Sequence, residues 1–560
     1  MKTFRRLLLA SILLSVTSAL CAQPAPRQVE RAPATATVIP LSENWRLDGD
    51  VPVHTLLLSL QGLANRDYPR LYLEYPKNWQ WEIVHPLMGF LEKRHGMKFD
   101  RLALNDADTA LKLFGRYAKG CVVWDKAVRS SLTVAFTIAG VEDLVIVNAD
   151  QLDLAARHGL KVVVDLRGRF TGQPDHLIYQ WAYDNYHARC SRDYSVVMGG
   201  HSGAEMQPGI ADFGISRRAF FTDLSANPKH PEELALLKRI LAGQNPASIV
   251  LGWHSYAKDT EAQHTTLTGN YGLKMEGLHN LPNVSFTSQI PLTPDFKYTN
   301  NHHVALDAKL KAEPKVYLTA VATDSMGIGT WTKPGRGDIP YAWQVLVNWS
   351  WMNPPALQYF YESKSPNDYF IGGLSGPGYM YPQSVPADKF PALMKDMRIL
   401  MAKLDLNVLE IMEHTEGHRR NGIANLSQEV GDRYYAEFPK VHGFINGYSA
   451  AQTFDLRDNR PLLSYDYYLA VNCTVADAVA DLDELIRLND QRPYFLLIHV
   501  RESNTVEKVK QIIDRLSEKV EVVPLDIFLK LAADQKTYQT RYQEPAKPQV
   551  AKPGKNPGDV

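Results

Sequence analysis

Short apolar, β-branched runs separated by amphipathic stretches set the pattern of this 560-residue chain. In the first half, Gly120-Cys121-Val122-Val123-Trp124-Asp125, Asp143-Leu144-Val145-Ile146-Val147 and Lys161-Val162-Val163-Val164-Asp165 each carry three or four consecutive apolar residues. Such runs predict strands buried on both faces, as in parallel sheets covered by helices. Helical periods lie between strand signals, for example from Glu232 to Leu241. Residues 45–300 therefore read as an N-terminal α/β region with buried parallel strands. They contain no tandem repeat, and no Gly-rich phosphate-binding turn follows a strand.

From Pro314 onward the same signal recurs seven times: Val316 to Thr323, Tyr369 to Leu374, Leu406 to Met412, Val441 to Ile445, Tyr467 to Val471, Tyr494 to Val500 and Val520 to Val523. Helical stretches at Pro386 to Lys403, Val475 to Leu488 and Thr505 to Leu516 fall between several of them. Repeated strand-helix units predict a (β/α) barrel-like domain over residues 310–534, with chemistry at the C-terminal ends of its strands.

The ends of the chain read differently. Lys2, Arg5 and Arg6 precede an apolar run from Leu7 to Leu20 and the small-residue site Cys21-Ala22-Gln23, the layout of a secretory signal peptide over residues 1–22. Leu20 stands where a lipoprotein signal wants a small residue, so cleavage after Ala22 is preferred to lipidation at Cys21. A secreted or periplasmic location follows. Residues 23–44 read as a flexible lead-in and 535–560 as a Lys-, Gln- and Pro-rich disordered tail. No other apolar run is long enough to span a membrane.

Loss of the signal would remove three basic residues and no acidic one, leaving 58 basic against 61 acidic side chains and a net charge of −3. That near-neutral balance, without a long Lys/Arg run, argues against a nucleic-acid partner. Cys121, Cys190 and Cys473 would remain, an odd number at wide spacing that fits neither a disulfide scaffold nor a zinc ribbon. One bridge with a free thiol, or three thiols, are both open.

One heptapeptide stands apart. In Gly376-Pro377-Gly378-Tyr379-Met380-Tyr381-Pro382 the glycines permit positive φ or close approach of another backbone, and the prolines exclude a helix. The apolar run Tyr369 to Leu374 precedes it, so it reads as a rigid loop at the end of a strand. These residues match a G-x-G-Y-x-Y-P signature, and the chain resembles the GxGYxYP family, whose members are assigned as glycoside hydrolases. Leu58-Ser59-Leu60-Gln61-Gly62-Leu63-Ala64-Asn65-Arg66 with Pro69-Arg70-Leu71-Tyr72 is similar to that family's N-terminal region. The resemblance spans roughly residues 45–535 and implies a secreted bacterial protein with a C-terminal barrel-like domain acting on carbohydrate.

Polar residues at predicted strand ends are the candidates for chemistry. Asp324 follows the first run, Glu410 and Glu413 close the third, and His499, Arg501 and Glu502 close the sixth. Glycoside hydrolysis uses one carboxyl group as acid and a second as nucleophile or base. Asp324 with Glu410 or Glu413 is the expected pair, with Glu502 beside it. Trp331, Tyr379 and Tyr381 are candidates for stacking on sugar rings, whereas the spacing of Trp343, Trp349 and Trp351 also suits a packed helix. Gly376 and Gly378 would stiffen the loop; His499, Arg501, Trp253 and His254 would add substrate contacts. Glu261 and Gly269 to Gly272 lie near that last pair.

No cofactor is expected, yet His414-Thr415-Glu416-Gly417-His418 offers a competing mechanism. Two histidines four apart can bind a metal, and H-T-x-x-H resembles a motif of barrel-type polysaccharide deacetylases, in which Asp324 would complete the site. That family usually has two adjacent aspartates, and here Ser325 follows Asp324. A non-catalytic glycan-binding protein is the third reading.

Overall fold

The computed structural model describes residues 34–76, 84–199, 203–277, 282–323, 330–413, 424–448, 450–501, 503–534 and 539–543. Three parallel sheets build the first half. The first has the order β2-β1-β3, with β1 Thr35–Pro40, β2 Leu71–Glu74 and β3 Lys98–Arg101. The second, β5-β4-β6, comprises β4 Gly120–Val123, β5 Leu144–Val147 and β6 Val162–Asp165. The third, β10-β9-β7-β8, comprises β7 Tyr194–Met198, β8 Phe220–Thr222, β9 Ile249–Trp253 and β10 Lys274–Glu276.

The run that resembles the family's N-terminal region forms the helix Val51–Ala64, buried at every position except Val53. A helix buried all round has no polar face, which is why its sequence lacks amphipathic spacing. Its polar residues serve as links. Ser59 Oγ accepts from Ile146 N of β5 at 2.9 Å, and Gln61 Nε2 donates to Asn283 Oδ1 at 2.6 Å. Asn283 Oδ1 also accepts from Leu73 N at 3.0 Å, joining the first sheet to the segment after the third.

Among the described residues the second half forms one ten-stranded sheet. Its path runs β16-β17-β15-β14-β13-β12-β11-β19-β18, with β20 also on β11. The strands are β11 Val316–Ala322, β12 Tyr341–Val345, β13 Asp368–Gly372, β14 Val408–Ile411, β15 Gly443–Asn446, β16 Asp455–Arg457, β17 Arg460–Ser464, β18 Tyr467–Leu469, β19 Tyr494–Val500 and β20 Val520–Val522. Every pairing is parallel except β16 with β17. The path has two ends, β16 and β18, but β17 and β18 are separated in sequence only by Tyr465 and Asp466. Tyr465 N donates to Asn446 O of β15 at 3.1 Å, and Asp466 N to Leu497 O of β19 at 2.9 Å.

The pleat divides the residues of this sheet between two cores. Leu318, Trp343, Phe370, Leu409, Phe444 and Leu496 join the main core. Tyr317, Val321, Ala342, Ile371, Val408, Ile445, Leu463 and Phe495 join a second one, with Leu525, Phe528 and Leu529 of the helix Leu525–Ala532 packed against them.

Several expectations change. Residues 35–40 fall within the stretch read as a flexible lead-in, yet they form β1, the middle strand of its sheet. Two neighbours to pair with override a weak local signal. Trp343 lies in β12 rather than in a helix; Trp349–Met352 is helical. Val162 and Val163 are 46% and 55% exposed, because β6 is an edge strand. Within the segment read as a disordered tail, Arg541 and Gln543 bridge to Phe454 and Ser427. Cys121, Cys190 and Cys473 are free thiols. Among the described residues no helix is long and apolar enough to cross a membrane.

Candidate functional site

The alternation that fills the second core continues toward the C-terminal ends of the strands, and there it becomes polar. Gln344 of β12, Glu410 of β14, Tyr465 after β17 and His499 of β19 are at most 1% exposed. Glu410 sits between two donors: Tyr465 Oη donates to its Oε1 at 2.6 Å, and Gln344 Nε2 donates to its Oε2. One hydrogen bond to each oxygen matches the acceptor-only capacity of a carboxylate. Burial first, then the neighbouring Glu410 charge, push the Tyr465 hydroxyl well above its usual range, so it stays a proton donor near neutral pH.

The Tyr465 ring stacks on His499, with centroids 4.9 Å apart. His499 Nδ1 bonds to the Tyr448 carbonyl oxygen, an acceptor, so in a neutral ring that nitrogen carries the proton. Nε2 then accepts from Thr323 Oγ1 at 2.5 Å. Arg501 lies over the Tyr448 ring at 5.0 Å. Asp324, the residue after Thr323, lies outside the described residues, as do Glu502, His414 and His418.

Glu413, also fully buried, accepts from Gln383 N at 2.9 Å. That contact ties the end of β14 to the residue following the heptapeptide. The loop itself docks on the third sheet: Met275 N donates to Tyr379 O at 2.9 Å, and Tyr379 N to Met275 O at 2.7 Å. At Gly378, with φ +146°, an added Cβ would lie 2.8 Å from Met275 O, so a side chain has no room. Asn348 Nδ2 secures the Pro377 carbonyl at 2.6 Å and Glu276 Oε2 of β10 at 2.7 Å.

Both tyrosines point at one acid. Tyr379 Oη donates to Glu261 Oε1, Tyr381 Oη reaches the same oxygen at 3.4 Å, and the two hydroxyls are 3.2 Å apart. Tyr379 also stacks on Trp253, with ring centroids 5.7 Å apart. His254 Nδ1 and His264 Nδ1 lie 3.1 and 3.5 Å from opposite oxygens of Asp259. Burial alone would raise Asp259, but its hydrogen bond with His254 and its contact with His264 together outweigh burial and hold it well below the usual carboxylate range.

The residues singled out from sequence thus separate. Glu410 and His499 share one network, joined through Tyr465. Glu413, Tyr379, Tyr381, Trp253 and His254 lie along the junction with the third sheet, and Gly376 and Gly378 shape the loop between. Trp331 is elsewhere: 1% exposed, it packs on Trp343, Phe360 and Phe370, with Arg336 over its face at 4.3 Å. Neither face of its ring is open to a sugar. Gln344 and Tyr465 were not foreseen. Their signal, a polar residue closing a strand, was hidden for Gln344 by the helical reading of β12 and for Tyr465 by the abrupt turn into β18.

Parallel strands whose C-terminal ends gather a buried carboxylate, a tyrosine and a histidine define an α/β protein with a strand-end polar site. The chain belongs to the GxGYxYP family. Its models match as the "1st domain" at residues 36–116, the "second domain" at 118–190, the "third domain" at 192–289 and the "GxGYxYP putative glycoside hydrolase C-terminal domain" at 314–533. A solved structure from Bacteroides thetaiotaomicron, described as a "putative hydrolase", shares the fold at a TM-score of 0.73 and 17% identity, covering 90% of this chain and 95% of that one. No curated protein matches.

Proposed function

We propose that the chain is an exported glycoside hydrolase that cleaves glycosidic bonds of a poly- or oligosaccharide at the C-terminal ends of its C-terminal strands. The observation that carries this reading is Glu410, a wholly buried carboxylate with a hydrogen-bond donor on each oxygen, in a polar layer at the C-terminal end of an apolar core. A carboxylate held this way suits the nucleophile or base of glycoside hydrolysis, because its orientation is set before substrate arrives. Asp324, Glu413 and Glu502 are the candidates for its acid partner. Tyr379, Tyr381, Trp253 and His254, with Arg501, would place the sugar.

We also read residues 310–534 as a (β/α) barrel closed through Tyr465 and Asp466. Consecutive backbone hydrogen bonds from these two residues to β15 and β19 support this, as does the inner core capped by Leu525–Ala532. The signal-like N-terminus supports export.

Reducing-end release from a panel of polysaccharides tests the reading. Glu410→Gln should lower kcat by roughly 10²–10⁴-fold, the usual range for loss of a group in acid-base catalysis. Unchanged turnover in Glu410→Gln, Asp324→Asn, Glu413→Gln and Glu502→Gln alike would sink it. Glycan binding without turnover in the parent would identify a binding protein, and chelator-sensitive acetate release would identify a deacetylase.

A further inference from the structure

At the opposite end of the same strands, three potential metal ligands from distant parts of the chain come together. His302 lies in the connection before β11, His442 immediately precedes β15, and Asp526 is in the first turn of the helix Leu525–Ala532. One ligand atom from each lies within 4.8 Å of the other two. His442 is 0% exposed, and neither of its ring nitrogens has a hydrogen-bond partner. A buried imidazole with both nitrogens idle is costly, because each gave up water without replacement.

The surroundings look arranged for a cation. Asp526 is also 0% exposed; its Oδ1 lies 3.0 Å from His303 Nδ1, and its Oδ2 accepts from His303 N at 2.6 Å. Contact with a third histidine, outside the ligand set, orients a ligating carboxylate. His302 Nε2 lies 3.0 Å from Asp405 Oδ1 and its Nδ1 lies 3.4 Å from Asn407 Nδ2, contacts that steer the ring from outside. Two imidazoles and one carboxylate are an N/O set that suits Zn²⁺ and related transition ions, with too few oxygens for Ca²⁺. Bonds of about 2.0–2.2 Å would bring the ligand atoms to about 3.4 Å apart in tetrahedral geometry, so closure by at most about 1.4 Å from the present 4.8 Å limit completes the site.

We infer that His302, His442 and Asp526 form a divalent transition-metal site, Zn²⁺ by its chemistry, that clamps the capping helix to the N-terminal ends of the strands. The fourth position lies toward His302 at the surface and takes water. The site is structural and separate from the catalytic reading, since it joins the chain connection, the start of β15 and the cap at the end away from Glu410.

The test uses the full chain, stripped with a chelator and then dialysed against Zn²⁺ alone. One equivalent should be retained by elemental analysis, and the thermal midpoint should rise by several degrees over the stripped protein. His302→Ala, at the surface, should abolish both effects while leaving the stripped midpoint unchanged; His442→Leu should do the same for retention. His418→Ala should keep the equivalent. No retained zinc in the parent, zinc unaffected by His302→Ala, or zinc lost in His418→Ala alone would overturn the inference.

Discussion

Gly378→Ala is the sharpest perturbation of the motif. With φ at +146°, alanine would pay about 1–3 kcal/mol in backbone strain. Its methyl would stand 2.8 Å from Met275 O, a backbone atom that cannot swing aside as a side chain would. Relief must part the loop from β10, which lengthens the two bridging hydrogen bonds of 2.9 and 2.7 Å. Each is worth about 1 kcal/mol, so the total loss is about 3–5 kcal/mol. Gly376→Ala is the internal control. Gly376 has no positive φ, and its Cβ would meet Met380 Sδ at 2.7 Å and Met394 Cε at 3.3 Å, the flexible ends of two methionines. Its cost should stay near 1–1.5 kcal/mol. Urea unfolding followed by tryptophan fluorescence compares the two at equal slope. A Gly378→Ala loss below about 1 kcal/mol, or one no larger than that of Gly376→Ala, would refute the close-approach argument.

Stability should also depend on pH through buried acids. Burial lifts Glu276, Asp223 and Asp466 each to about 7. Below about 4 both folded and unfolded chains hold these protons; between about 4 and 7 only the unfolded chain releases them. Stability therefore falls as pH rises through that window and levels off above it, giving a higher urea midpoint at pH 5 than at pH 8. Glu276→Gln should reduce the difference by about 3 kcal/mol, at about 1.4 kcal/mol per pKa unit, and an unchanged difference would show that Glu276 does not titrate there. Tyr465→Phe removes the 2.6 Å donor to Glu410. The loss of about 1.5–3 kcal/mol expected for a hydrogen bond to a charged group should lower kcat roughly 10–100-fold with KM little changed, measured on whichever glycan the parent cleaves.

Local pattern was enough for some features and silent on others. The β-branched runs around Val122, Ile146 and Val321 announced buried strands, because a strand covered on both faces tolerates no polar alternation. The strand-end rule brought out Glu410 and His499, and the glycines and prolines of residues 376–382 marked a stiff loop. That the loop's tyrosines reach Glu261, more than a hundred residues earlier, had no local trace. Trp331 illustrates the same limit: an indole in a Gly- and Thr-rich stretch looks available, yet tertiary packing buries it against Trp343, Phe360 and Phe370.

By itself, the sequence marked several of the buried strands and helices, the stretch where the chain must turn rigidly and the family the chain belongs to, since these depend on composition within a few residues. Only the tertiary structure decided that Glu410 lies between Gln344 and Tyr465, that His499 stacks beside them, and that His302, His442 and Asp526 meet at the far end. Glu410 and Tyr465 are 55 residues apart in sequence, and Asp526 is 223 residues from His303, the neighbour of His302. Such distances close through strand order and register, which spread over the whole sheet and leave no mark at any single residue.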